Sequence, residues 1–199
     1  MTQSDVTSPT VLLTGPTSGI GSRMFESLLV HPRRPNLVLL ARDPVALDRA
    51  LDTARARGLA ARGIRVDLSD LKSVRGALED LTAEQRRGTV AALDVALLNA
   101  GAQFVSRRRT GSQGFELTFT VNVIAQHLLL RGLEPLLAPA GHVVLMGSST
   151  HRGKRASFNL IHNEFFLQKF FYFFTLRGLK FETHTWIIRR HTFDTNFRV

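Results

Sequence analysis

The chain has 199 residues, with a hydrophobic share of 44% and a charged share of 21%, which suits one globular domain with a sizeable core. It contains no cysteine, and this excludes disulfides and every cysteine-based metal site or nucleophile. The net charge of +10 comes from scattered arginines; the one cluster, Arg107-Arg108-Arg109, lacks the interleaved aromatic residues that stack on bases, so it reads as a solvated loop and no nucleic-acid partner is expected.

The first ten residues are polar, with neither a basic start nor an apolar core, so no secretion signal is expected. Val11-Leu12-Leu13 reads as a buried strand, Thr14-Gly15-Pro16-Thr17-Ser18-Gly19-Ile20-Gly21 as a tight turn, and Ile20 to Val30 as a helix with an apolar face. Strand, glycine turn and helix together build a phosphate cradle. Glycines let the backbone approach an anion closely, and the helix points its free N–H groups at it. The spacing is G-x-x-x-G-x-G rather than the commoner G-x-G-x-x-G.

The prolines of His31-Pro32-Arg33-Arg34-Pro35 end that helix. Leu37 to Leu40 reads as a second strand, Arg42-Asp43-Pro44 as a helix start, and Val45 to Arg57 as the helix. Gly58 to Gly63 is expected to be a turn. Ile64-Arg65-Val66 is a third strand ending at Asp67-Leu68. Ser69 or Asp70 can cap a helix running to Leu81, with a polar link from Thr82 to Thr89. Val95 to Leu98 is a fourth strand leading into Asn99-Ala100-Gly101. A long helix is expected from Phe115 to Leu137, ended by Pro139 and Gly141, before a fifth strand from Val143 to Met146 and then Gly147-Ser148-Ser149. No run of about 20 apolar residues occurs, so no transmembrane segment is expected and the default location is the cytoplasm.

Unbroken apolar strands alternating with helices predict an α/β fold, a Rossmann-like doubly wound parallel sheet covered on both faces. In such sheets the ligand crevice lies at the carboxyl ends of the strands. The unusual residues of this chain fall there: the Gly15 turn, Arg42, Asp67, Asn99-Ala100-Gly101 and Ser148.

This order of motifs resembles the short-chain dehydrogenase/reductase family over residues 10–157. The pieces are Thr14-Gly15-x-x-x-Gly19-Ile20-Gly21, Asp67-Leu68, Asn99-Ala100-Gly101, Val121-Asn122-Val123 and Gly141-x-Val143-Val144-x-x-Gly147-Ser148. The block Gly114-Phe115-Glu116 … Phe119-Thr120-Val121-Asn122 is similar to the retinol-dehydrogenase-like and protochlorophyllide-reductase-like branches. The resemblance implies that Gly15, Gly19 and Gly21 admit a cofactor pyrophosphate, that Thr14 belongs to the same cradle, and that Ser18 and Ile20 supply side-chain and backbone contacts. It implies that Asp67 meets the adenine amino group beside Leu68, and that Asn99, Ala100 and Gly101 line the cofactor floor. Asn122 is expected to hold its helix and a catalytic water, and Ser148 the substrate oxygen. Arg42 follows the second strand, where the adenosine ribose arrives. An arginine there suits a 2′-phosphate and a carboxylate suits a 2′-hydroxyl, so NADP is favoured over NAD, with Asp43 as the counter-indication. The implied reaction is hydride transfer between NADP(H) and a small carbonyl or alcohol substrate, in a protein that can oligomerise. No metal site is expected.

The resemblance breaks after Ser148. The family's chemistry needs Tyr-x-x-x-Lys, four residues apart on one helix face. The single tyrosine is Tyr172, and Leu176 stands where the lysine belongs. Ten of the 14 phenylalanines lie at or after Phe158, and no alanine follows Ala156. Residues 1–157 therefore read as the NAD(P)-binding domain and residues 158–199 as an atypical tail, which leaves an open sheet edge beside the fifth strand. Three origins are compatible with that tail. It can come from a shifted reading frame or altered splice that truncates the reductase. It can be a partner- or membrane-facing segment of a non-catalytic nucleotide-binding or scaffold protein. Or it can supply a substitute acid such as His151, His162 or Tyr172.

Overall fold

The computed structural model describes residues 8–104, 109–147, 181–182 and 185–189. Strands and helices alternate as β1 (Thr10–Thr14), α1 (Gly19–Leu29), β2 (Asn36–Ala41), α2 (Pro44–Ala56), β3 (Ala61–Arg65), α3 (Leu71–Arg86) and β4 (Leu93–Leu98). A nearly continuous helical stretch follows: α4 (Leu117–Phe119), a π-turn (Thr120–Ile124), α5 (Ala125–Leu133) and a 3-10 turn (Glu134–Leu136). It leads directly into β5 (Leu137–Met146); β6 (Phe181–Glu182) and β7 (Thr185–Arg189) complete the described elements.

The sheet order is β3-β2-β1-β4-β5-β7-β6, and β1 to β5 run parallel. The chain winds outward from β1 to β3, then crosses to β4 on the other side. This is the Rossmann-like doubly wound sheet that the strand–helix alternation predicts, with its switch point between β1 and β4. That switch puts the turn after β1 beside the turn after β4.

Residue alternation along the strands distributes the core to two faces. Leu12, Val38, Leu40, Ile64, Ala96, Leu98 and Val143 pack with Val74 and Leu81 of α3 and Leu129 and Leu133 of α5. Leu13, Leu37, Leu39 and Ala41 pack with Phe25 of α1 and Leu47, Leu51 and Ala54 of α2. Both faces are covered, which is why the strands read as unbroken apolar runs.

Several boundaries differ from the sequence expectation, each for a packing reason. Helix α3 continues to Arg86 through the expected polar link, because Glu84 turns inward. It accepts a hydrogen bond from the Thr89 hydroxyl at 2.7 Å and pairs with Arg62 and Arg87. A carboxylate so partnered tolerates burial. Strand β3 begins at Ala61, inside the expected turn, because its register with β2 runs from Leu37↔Ala61 to Ala41↔Arg65. Pro139 and Gly141 do not end a helix but lie within β5, where the β4–β5 register shifts between Leu93 and Val95. Such an irregularity accommodates a residue without an N–H. The expected open edge beside β5 is occupied by β7, antiparallel in register from His142↔Arg189 to Met146↔Thr185. Thr185-Trp186-Ile187-Ile188 is a β-branched and aromatic run suited to a strand. Ser148, Ser149, His151, His162, Tyr172, Leu176, Arg107 and Arg108 lie outside the described residues, as does most of the tail.

Candidate functional site

The turn after β1 is built around backbone conformations that side chains resist. Gly15 has φ +68° and Gly19 φ +56°, a region open to glycine at little steric cost. The Gly15 N–H donates to the Leu40 carbonyl at 2.9 Å, tying the turn to β2. Gly21 is required for space: a Cβ there would stand 1.9 Å from the Gly15 carbonyl oxygen. The turn thus folds back onto the first turn of α1. Ser18 is the N-cap residue, extended and without a side-chain cap bond, and both Ser18 and Ile20 are exposed. The first-turn N–H groups of α1 have no intrahelical acceptor. They face the crevice end of the sheet, where a helix N-terminus favours an anion.

A hydrogen-bonded frame joins the two central strand ends. The Thr14 hydroxyl is fully buried and accepts the N–H groups of Asn99 and Ala100 at 3.0 and 2.9 Å. Asn99 Nδ2 returns a bond to the Thr14 carbonyl at 3.2 Å. Thr14 therefore holds the two turns together from beneath, and its hydroxyl is spent inside the protein. The Asn99-Ala100-Gly101 segment is fastened from its other side by the helical stretch. Asn122 Oδ1 accepts the Ala102 N–H at 2.9 Å, and Asn122 Nδ2 donates to the Ala102 carbonyl at 2.7 Å. Four residues on, buried Gln126 donates through Nε2 to the Ala100 carbonyl at 2.8 Å. The π-turn over Thr120–Ile124 contains Asn122, and π-turns of this kind recur at functional sites. The sequence marks Gln126 only faintly. Its signal was a second amide one helical turn after Asn122 in an otherwise apolar run.

The outer strand ends carry the charged groups. Arg42 directly follows β2 and is exposed. Asp43, next to it, is engaged at the start of α2: its Oδ1 accepts the N–H groups of Val45 and Ala46 at 2.9 and 3.2 Å. Arg65, the last residue of β3, donates through Nε to the Arg42 carbonyl at 3.3 Å. Asp67 is partly buried, and its Oδ1 accepts from the Ser69 N–H and hydroxyl at 2.9 and 2.6 Å. Leu68 is buried in the core. Of the two expected caps for α3, Asp70 takes the role, accepting the Lys72 N–H at 3.0 Å. That bond and a second from Gln113 Nε2 hold the Asp70 carboxyl below its ordinary range. Among the described residues no group of three histidine, aspartate or glutamate side chains could hold a metal.

Gly15, Arg42, Asp67 and Asn99 thus lie at the carboxyl ends of β1 to β4, and Asn122 reaches the same place from the helical stretch. A cradle with open N–H groups beside an exposed guanidinium can receive an elongated ligand with a negatively charged middle.

The family model for short chain dehydrogenases matches residues 9–160. DnrU of Streptomyces sp. (strain C5), provisionally named a daunorubicin C-13 ketoreductase, is 37% identical over 143 residues, covering 71% of this chain and 47% of DnrU. The chain spans about half the length of the curated relatives it matches, or less. A short-chain dehydrogenase from Sphingobium yanoikuyae in complex with NADPH is 30% identical with a TM-score of 0.50, covering 64% of this chain and 47% of that one. A short chain dehydrogenase from Salmonella enterica serovar Typhi is 26% identical with a TM-score of 0.62, covering 85% of this chain and 70% of that one. With a family model matched over most of its length and the fold it implies in place, the chain belongs to the short-chain dehydrogenase/reductase family.

Proposed function

We propose that residues 1–157 form a binding domain for NADP(H), inherited from enzymes that move hydride between the cofactor and a carbonyl or alcohol. The observation that carries this reading is the cradle at Gly15–Gly21: a Cβ at Gly21 would fill space that the turn itself occupies, and open helix N–H groups border it. Arg42, with no ion pair among the described residues and with Asp43 engaged at α2, supports NADP over NAD. The NADPH in the complex of the Sphingobium protein is consistent with this choice.

When bound, the cofactor supplies the hydride. Gly15, Ser18, Gly19, Ile20 and Gly21 would hold its pyrophosphate. Asp67, with one oxygen free of Ser69, would accept from the adenine amino group, and Leu68 closes the core beneath. Asn99, Ala100 and Gly101 form the floor, held in place by Thr14, Asn122 and Gln126. Asn122 acts as a positioning residue here, since both ends of its amide are bonded to Ala102. Ser148 would orient the substrate oxygen.

Proton transfer is the weak point. After Ser148 the chain has one tyrosine, with leucine in place of the paired lysine. Loss of a positioned proton-transfer group costs about 10²–10⁴-fold in rate. We therefore expect a very slow or inactive enzyme that keeps its cofactor site. The absent pair also supports a second reading, a non-catalytic nucleotide-binding or scaffold protein. Among the described residues no helix is long and apolar enough to cross a membrane, and the proposed location is the cytoplasm. Turnover of NADPH with a panel of aldehydes and ketones, run beside a cofactor titration, tests both. Tight NADPH binding with negligible turnover is expected. Fast turnover that Ser148→Ala abolishes would overturn the inactivity, and failure to bind either nucleotide would overturn the cofactor reading.

A further inference from the structure

In the sequence Arg65 is simply the middle residue of the strand Ile64-Arg65-Val66. It is the last residue of β3 and pairs in register with Ala41, the last residue of β2. Arg42 is the residue that directly follows β2. Neighbouring strands stand about 4.8 Å apart, so two guanidinium-bearing residues leave adjacent strand ends side by side, both exposed.

Among the described residues no carboxylate forms an ion pair with either of them. Arg23, Arg55, Arg62, Arg87 and Arg131 each pair with a carboxylate. Neither Arg42 nor Arg65 has an ion pair among the described residues. The contrast with Arg62 is close: three residues earlier on the same strand, it reaches the buried Glu84. The carboxylates nearest in sequence are engaged elsewhere, Asp43 at the start of α2 and Asp67 through Oδ1 at Ser69. Arg65 uses Nε on the Arg42 carbonyl, which orients its side chain toward Arg42 and leaves both terminal nitrogens without a partner among the described residues. Two adjacent cations repel, and an anion carrying two charges and several acceptor oxygens relieves that repulsion.

We propose that Arg65 is a second specificity-determining residue, which together with Arg42 binds the ribose 2′-phosphate of NADP(H). The proposal rests on the cofactor reading above and adds to it a residue on β3. Arg65 supplies two further donors in a fork suited to a phosphate, and its bond to the Arg42 carbonyl holds the residue that makes the first contact.

The test is a titration of the full chain with NADPH and with NADH, for wild type, Arg42→Ala, Arg65→Gln and Arg65→Glu. Loss of one charge-assisted contact corresponds to about tenfold in affinity. Arg65→Gln is expected to weaken NADPH about tenfold while NADH stays within about twofold, and Arg65→Glu to weaken NADPH further. A merely structural role would lower both nucleotides together, and that result overturns the proposal. If wild type prefers NADPH and Arg42→Ala removes the preference while both Arg65 variants keep it, this proposal fails and the cofactor reading stands. If wild type binds neither nucleotide, or prefers NADH, both fail.

Discussion

Replacing Gly21 by alanine tests the cradle most directly. The added methyl carbon would stand 1.9 Å from the Gly15 carbonyl oxygen, 2.5 Å from Asn99 Nδ2 and 2.9 Å from the Gly15 carbonyl carbon, against 3.4 Å or more for ordinary contact. Two of those atoms are backbone, so no side-chain rotation relieves the clash. Relief requires either the Gly15 turn or the start of α1 to move, and Gly15 is itself tied to Leu40 of β2. Overpacking of this kind costs roughly 1–3 kcal/mol, and the rigid partners place it near the upper end. For a chain of this size about 3 kcal/mol lowers the melting temperature by roughly 6–12 °C. The same shift moves the N–H groups that border the cradle, so NADPH affinity should fall as well. Calorimetric melting and a nucleotide titration read the two effects. Gly76→Ala is the control. It lies within α3 with nothing within 4 Å of the added methyl, and removing a helix glycine should raise stability by roughly 0.5–1 kcal/mol. A Gly21→Ala protein that melts with wild type and binds NADPH equally well would refute the close approach of the turn to α1.

Two further predictions concern the frame and the core. Asn122→Ala strips partners from both backbone groups of Ala102 and should destabilise the chain by about 1–3 kcal/mol. Urea unfolding measures the loss, and faster amide hydrogen exchange at Ala102 locates it; unchanged exchange would show that the Asn122 bonds do not hold this loop. Glu84 makes stability pH-dependent. The Thr89 hydroxyl bond, then Arg62 and Arg87, hold its carboxyl below the ordinary glutamate value of 4.5 against the opposing effect of burial. A depressed folded value means that stability is fully present above pH 4.5 and drains away as pH falls through the folded value. Glu84→Gln should therefore be less stable than wild type at pH 7, with the gap closing in acid. A gap independent of pH would show that the charge of Glu84 contributes nothing.

Much of the crevice was legible because it depends on local chemistry. Glycines at Gly15 and Gly19 announce backbone that other residues resist, and Asp43-Pro44 announces a capped helix start. What the sequence hides depends on tertiary partners, most of them distant in sequence. Glu84 reads as a solvent-facing residue until Arg62 and Thr89 are placed beside it. Pro139 reads as a helix stop until β5 is paired with β4. Gln126 reads as one polar residue in a helix until the Ala100 carbonyl arrives at its amide. Thr14 reads as part of the nucleotide turn, yet its hydroxyl is consumed by Asn99 and Ala100.

By itself the sequence determined the alternation of buried strands and helices, the glycine turn, and the absence of the tyrosine–lysine pair. These are set by hydrophobic periodicity, by glycine's missing Cβ and by residue identity, and none needs a distant neighbour to be read. Only the tertiary structure decided that β7 lies antiparallel along β5, that Asn122 and Gln126 hold the turn after β4, and that Arg65 stands beside Arg42, neither with an ion pair among the described residues. Each is a pairing across many residues. Which groups meet at the end of a strand depends on sheet order and register, and those are decided when the two apolar faces pack.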